Sequence, residues 1–356
     1  MTPLLKVDHL SKEFVVERTV FGRPVKTVRA VDDVSLEIGK GETLALVGES
    51  GCGKSTLGRL IMRLVDPSSG TITLTGQDIT SLSDRSLKPV RRRVQLIFQD
   101  PFASLNPRMT VGQMVAEPLM LHDIVPAAKR TERVKELLQA VGLSAQHINR
   151  YPHEFSGGQR QRIVIARALA AEPELIVCDE PVSALDVSIR SQVLNLLADL
   201  QKQFGFSYLF ISHDLSVVRH IADRVAVMYL GRIVEIGATE DVFGDPRHPY
   251  TRALIASIPV PNPGWRETTR PLEGDLPSPI NPPSGCHFHT RCPYAQPICT
   301  TERPALVSSQ GHHPAACHFQ NELPAADDLM PVEAVDPRLS RLFGAFQALS
   351  TKEPAA

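Results

Sequence analysis

Three short stretches of this chain hold residues whose types and spacing could do chemistry. The first, Gly48 to Thr56, reads G-E-S-G-C-G-K-S-T. Gly48, Gly51 and Gly53 permit backbone conformations closed to other residues, so the N–H groups around Ser50, Cys52 and Thr56 can converge on phosphate oxygens at a positive helix end. Lys54 would reach the β- and γ-phosphates, and Ser55 would place its hydroxyl on Mg²⁺. The second is Asp179-Glu180, two adjacent acids closing the apolar run Leu175 to Cys178. Acids in that position divide the work: Asp179 holds Mg²⁺, largely through water, and Glu180 orients and deprotonates an attacking water. The third is Phe155-Ser-Gly-Gly-Gln159, where Ser156 and Gln159 have capping-box spacing ahead of a helical run. This is a second helix start suited to an anion. One triphosphate does not need two such sites in one chain, so the spare site fits closure over a nucleotide held by a second subunit.

These residues need a scaffold, and the flanking pattern supplies one. Leu44, Leu46 and Val47 read as a buried strand, and Leu57, Leu60, Ile61 and Leu64 recur at helical spacing, so a helix is predicted from near Ser55 to before Asp66-Pro67. Further strands are predicted at Val94 to Phe98, Leu175 to Cys178, Tyr208 to Ile211 and Val225 to Met228, with Gly231 turning between two strands. The fold class is therefore α/β, a nucleotide-binding domain over residues 1–258. Val134, Leu137, Leu138 and Val141 mark a helical subdomain inserted at about residues 101–172. Eight prolines between Pro259 and Pro283 then announce an irregular arm, which leads into a four-cysteine module over residues 259–330. The tail, 331–356, carries Leu339, Leu342, Phe343, Phe346 and Leu349 on one helical face after Asp336-Pro337.

The composition is ordinary for a globular chain of 356 residues, with 42% hydrophobic and 22% charged. A formal net charge of -1 gives no footprint for a nucleic-acid partner. There is no apolar run long enough to span a membrane and no charged-then-apolar leader, which predicts a cytosolic protein; any work at a membrane would then be done by docking on an integral partner.

The third stretch resembles the signature of the ATP-binding cassette family, usually written L-S-G-G-Q, with Phe155 in place of Leu. The resemblance covers roughly Leu4 to Ile258 and implies roles for further residues. Ser156, Gly157, Gly158 and Gln159 would contact the partner's nucleotide. Gln99 matches the loop glutamine that senses Mg²⁺ and couples to the membrane partner. Asp186, in Ser183-Ala-Leu-Asp186, matches the loop at the dimer interface, and His213 matches the switch histidine on the γ-phosphate. Phe14 is the choice for the aromatic that stacks on adenine, with Phe21 competing. A narrower likeness lies in Gln99-Asp-Pro-Phe-Ala-Ser-Leu-Asn-Pro-Arg108, Asp245-Pro-Arg-His-Pro-Tyr-Thr-Arg252 and Leu276-Pro-Ser-Pro-Ile-Asn-Pro-Pro-Ser-Gly-Cys286. These are similar to the ATPase subunits of bacterial dipeptide and oligopeptide importers, closer to the second of their two paralogous ATPases. That resemblance implies ATP and Mg²⁺ as ligands and a second cassette ATPase as partner in a heterodimer. It also implies two membrane permease subunits and an extracytoplasmic peptide-binding protein. The place of action would be peripheral, on the cytoplasmic face of the inner membrane. Importers of nickel or glutathione share the motifs, and a soluble cassette protein acting on nucleic acid or ribosomes is the alternative from another class.

Cys286, Cys292, Cys299 and Cys317 stand in a proline-rich segment with little core of its own. Two disulfides are disfavoured in a cytosolic ATPase. Spacing leaves a 4Fe–4S cluster and Zn²⁺ about even, since the usual C-x2-4-C knuckle is absent, with ordinary free cysteines as the third reading; the importer resemblance favours the cluster. A structural or a redox-sensing role is open. Replacing any one of these cysteines by serine is expected to loosen the region after Pro259 and weaken assembly, while leaving nucleotide affinity at the distant phosphate loop largely unchanged.

Overall fold

The computed structural model describes residues 2–18, 24–258, 274–275 and 277–325, and two sheets are formed among these described residues. The strands are β1 (Leu5–Arg18), β2 (Pro24–Ile38), β3 (Thr43–Val47), β4 (Ser69–Leu74), β5 (Gln77–Asp78), β6 (Val94–Ile97), β7 (Leu175–Asp179), β8 (Ser207–Ser212), β9 (Arg224–Tyr229) and β10 (Arg232–Ala238). The larger sheet has the order β10-β9-β3-β8-β7-β6. Its members from β9 to β6 run parallel, and β10 turns back antiparallel through Gly231. β3 and β8 are buried at every residue, as expected for parallel strands covered on both faces. Parallel alignment puts the carboxyl ends of β3, β6, β7 and β8 on one edge, where ligands bind in open α/β sheets.

The smaller sheet, β2-β1-β4-β5, is antiparallel and was not read from the sequence. Leu5, Val7, Leu10, Val34, Leu36 and Ile38 pack it into one core with Leu57, Leu60 and Ile61 of the helix Lys54–Ile61. Several register shifts break the β1–β2 pairing, which blurs the alternation that would have marked both strands. Across the larger sheet, a second core holds the helices Val111–Leu121, Ala127–Ala140 and Gly157–Leu169, with Val134, Leu137, Leu138 and Val141 buried at the positions expected.

The cysteine module does not stand by itself. Ala316 N donates to Val234 O (2.7 Å) and Ile236 N to Pro314 O (3.1 Å), so residues 314–316 cover the outer edge of β10. Phe288 is 1% exposed and packs against Tyr229 and Tyr250, with ring centroids 5.3 and 5.4 Å away. The module thus borrows core from the larger domain, where its own sequence offers little. Buried Glu235 on β10 completes the joint: its carboxylate accepts from the amides of Arg247 (2.6 Å) and His248 (3.1 Å) and pairs with His313 Nε2 (2.6 Å). Among the described residues no helix is long and apolar enough to cross a membrane. The expected tail helix, Phe21 and most of the proline-rich arm lie outside the described residues.

Candidate active site

The phosphate loop leaves β3 and enters the helix Lys54–Ile61 one residue earlier than expected. Two of its glycines are required by close approach. A Cβ on Gly48 (φ +151) would lie 2.2 Å from Met228 O, and one on Gly53 (φ +110) would lie 2.0 Å from Ala30 O. Lys54 is 5% exposed and its Nζ donates to Gly48 O (2.7 Å) and Glu49 O (2.9 Å), so the ammonium rests on its own loop. Cys52 is buried beside it, its thiol pKa pushed up chiefly by burial.

The two acids at the end of β7 separate as their types suggest. Ser55 Oγ donates to Asp179 Oδ1 at 2.8 Å. Burial pushes the Asp179 carboxyl above its ordinary pKa, with the Ser55 hydrogen bond and Arg59 opposing. A half-buried carboxylate beside a hydroxyl at a phosphate loop fits Mg²⁺, because a cation there would offset the desolvation that now disfavours the charge. Glu180 Oε2 accepts from Gln99 Nε2 (3.0 Å), and Glu180 Oε1 lies 2.9 Å from His213 Nδ1. Its backbone is left-handed (φ 50), and its amide donates to Ile211 O of β8 at 3.0 Å. Strain of this kind in a non-glycine costs about 1–3 kcal/mol and persists where surrounding structure fixes it. Gln99 from the end of β6, Glu180 from β7 and His213 from β8 therefore meet over the phosphate loop, on a cleft of about 560 Å³.

The cleft also has walls that sequence reasoning missed: Val28, Arg29 and Ala30 of β2, Leu230 and Gly231 of the β9–β10 turn, and Pro279. Phe14 does not line it. Phe14 sits on β1 as the register partner of Val28, one strand farther from the cleft, 40% exposed with Lys12 Nζ 5.2 Å from its ring centroid. β2 is an edge strand of the smaller sheet, and it is Val28 to Ala30 of β2 that line the cleft.

The signature residues stand elsewhere. Ser156 caps the helix Gly157–Leu169 with the full capping box, Gln159 N to Ser156 Oγ at 3.4 Å and Ser156 N to Gln159 Oε1 at 3.1 Å. Both side chains are exposed and neither lines the chain's own cleft. A Cβ on Gly158 would come 2.4 Å from Ile189 Cγ2, which locks this helix start to the helix Val187–Phe204. Asp186 is exposed at the N-cap of that second helix, with no side-chain cap bond. Phe155 is buried edge-on to His147, a packing role.

The four thiols of Cys286, Cys292, Cys299 and Cys317 face one small cavity of about 10 Å³, and all four are free. Burial, reinforced by the neighbouring thiols, pushes Cys292 up to about 12 and Cys317 up to about 11. The expected metal cage is not preformed: among the described residues no group of three or more His, Cys, Asp or Glu is set to hold a metal ion. Convergence of the four cysteines on one cavity fits a thiolate centre by donor type.

The module also touches the phosphate loop, against the expectation that distance in sequence would separate them. Arg291, next to Cys292, donates from Nη1 to Glu49 Oε2 (2.7 Å) and from Nη2 to Glu49 Oε1 (3.0 Å), and Glu49 N donates to Tyr250 Oη (2.8 Å). Tyr250 belongs to the Asp245 to Arg252 motif, whose position against the loop only the fold reveals.

Solved ATP-binding cassettes share this architecture. The chain is similar to cbiO1 of Clostridium perfringens, part of the ABC transporter complex cbiONQ (TM-score 0.58, 29% identity, 68% of this chain and 91% of that one). It is likewise similar to the dimeric cassette MJ0796 bound to ADP and Pi (TM-score 0.59, 28% identity, 66% and 98%). The fold and the assembled site thus define a cassette ATPase. Residues 31–183 match the ABC transporter family and residues 234–299 the C-terminal region of oligopeptide/dipeptide transporters. Relatives include the probable peptide ABC transporter ATP-binding protein y4tS of Sinorhizobium fredii, 55% identical over 85% of this chain and 86% of its own length. The oligopeptide transport ATP-binding proteins AppF of Bacillus subtilis (53%, covering 87% and 95%) and OppF of Escherichia coli (53%, covering 87% and 94%) are similar over the same span. The chain belongs to the ABC transporter family, as an ATP-binding protein carrying the oligopeptide/dipeptide transporter C-terminal region.

Proposed function

We propose that this chain binds and hydrolyses ATP to drive uptake of dipeptides or oligopeptides through a membrane permease. The observation that carries the chemistry is the meeting of Gln99, Glu180 and His213 above a loop whose Ser55 is bonded to Asp179. ATP phosphates enter the cradle from Gly48 to Thr56, and Lys54 exchanges its bonds to Gly48 O and Glu49 O for phosphate oxygens. Mg²⁺, held by Ser55, Asp179 and Gln99, would neutralise phosphate charge. Glu180 orients a water and takes its proton, while His213, hydrogen-bonded to Glu180, holds the γ-phosphate side. Ser156 to Gln159 and Asp186 do not line this cleft, and Ser156 and Asp186 are exposed, which supports their action on the nucleotide of a second cassette. Closure on two ATP molecules would move the permease, and hydrolysis would reopen the pair.

The peptide substrate rests on the C-terminal match and on what the relatives are named for. The same reading divides the chain into a cassette (1–258), an arm and four-cysteine module (259–330) and a tail (331–356). It pairs the chain with a second cassette ATPase, two permease subunits and an extracytoplasmic binding protein, at the cytoplasmic face of the inner membrane. It also assigns the four thiols a structural 4Fe–4S cluster, or Zn²⁺, as a crosslink. The test is reconstitution with the permease and binding proteins in vesicles: MgATP inside should drive peptide accumulation, and Lys54→Ala should abolish it. Accumulation of nickel or glutathione in place of peptides would replace the substrate, and no ATP-dependent uptake at all would refute the role.

A further inference from the structure

Glu49 is held at all three of its polar groups. Its amide donates to Tyr250 Oη (2.8 Å), its carbonyl accepts from Lys54 Nζ (2.9 Å), and its carboxylate takes the two parallel bonds from Arg291 (2.7 and 3.0 Å). The Arg291 side chain is 5% exposed and that of Glu49 28%, so the pair is largely withdrawn from water. Arg291 in turn is fixed by the short helical turn His289–Arg291 and by Phe288, which is locked between Tyr229 and Tyr250. One end of this chain of contacts is the lysine that must reach ATP, and the other is the segment between Cys286 and Cys292.

We propose that Arg291 is a positioning residue for the phosphate loop, through which the cysteine module sets the resting place of Lys54 and hence the affinity for ATP. The inference rests on the reading of Gly48 to Thr56 as the ATP site. A bidentate guanidinium–carboxylate pair fixes direction as well as distance, so it can hold the peptide between Gly48 and Ser50 in one orientation. Removing it frees the Glu49 side chain and lets the carbonyl under Lys54 rotate. Because coupling between two sites is reciprocal, ATP in the loop must also alter the module.

The test uses the full chain, a fluorescent N-methylanthraniloyl ATP with Mg²⁺, and the variants Arg291→Ala, Glu49→Gln, both together, Arg291→Lys, and the reversed pair Glu49→Arg with Arg291→Glu. Each single neutral variant should weaken binding by at least about fivefold, the lower end of ordinary site–site coupling. The double variant should be no weaker than either single one, and Arg291→Lys should recover part of the affinity. The reversed pair should bind better than Glu49→Arg alone. MgATP should slow amide exchange across residues 286–299 in the native chain and not in Glu49→Gln. Glu49→Gln keeps the shape of the side chain, so it decides the matter if Arg291→Ala does not fold. Additive single effects, affinities within twofold of native, or exchange indifferent to MgATP would overturn the proposal while native binding stands. A native chain that does not bind the analogue overturns the nucleotide reading itself.

Discussion

Glu180→Gln separates holding ATP from splitting it, and the structure says what the change would cost. Glutamine has the shape of glutamate, and at φ 50 it meets the same left-handed strain, so the backbone at the end of β7 keeps its bond to Ile211 O. Gln99 donates to one carboxylate oxygen, and His213 Nδ1 faces the other. A new amide can face both: its oxygen accepts from Gln99 and its NH₂ is turned to His213 Nδ1. The loss is a charge-assisted bond exchanged for a neutral one, about 1 kcal/mol or less at a site where the His213 side chain is 57% exposed. The phosphate loop and the Ser55–Asp179 pair are untouched. Turnover, by contrast, loses its proton acceptor, which should slow hydrolysis about 10²- to 10⁴-fold, or roughly 3–5 kcal/mol of barrier. The assay is single-turnover hydrolysis in the assembled transporter alongside equilibrium ATP binding and a thermal melt. Hydrolysis near the native rate would refute the assignment of Glu180 as base, and a collapse of ATP binding would refute the claim that the cradle is independent of it.

Other outcomes can be checked separately. Ser156→Arg loses a cap worth about 1 kcal/mol but sits on the surface; ATP binding to this chain should persist while hydrolysis in the paired transporter falls, and loss of binding by the isolated chain would count against action in trans. Burial alone pulls His248 down to about 3 from 6.5, so the unfolded chain takes up a proton that the folded one refuses. Its contribution to stability is therefore complete above about pH 6.5 and is lost as pH falls toward 3, on the order of 2 kcal/mol by pH 5; melts from pH 7.5 to 5 should show the slope, and His248→Asn, which keeps an acceptor at this N-cap, should flatten it. Protein purified without oxygen should carry about four iron and four sulfide per chain, and one zinc without iron would replace the cluster while keeping the four-ligand site; a metal-free protein whose module resists proteolysis would remove both.

The sequence by itself determined the chemistry that is contiguous or set at strand ends. Gly48 to Thr56 cannot be another kind of loop between a buried strand and an amphipathic helix, and Asp179-Glu180 must fall at the rim because β7 is apolar until it ends. Parallel strands carry Gln99 and His213, singled out by the family resemblance and not by local pattern, to the same rim. What was not legible depends on which strand lies at an edge and which segments fold back. β1 and β2 carry register shifts that hide their period, and their order placed Val28 rather than Phe14 on the cleft. The cysteine module looked remote and coreless because its core is Tyr229 and Tyr250, both of the larger domain, and its link to the phosphate loop joins residues 242 positions apart. Local pattern reports what a residue does with its neighbours in the chain; only the tertiary structure, which pays the entropy of bringing Arg291 to Glu49, decides which distant charges become partners.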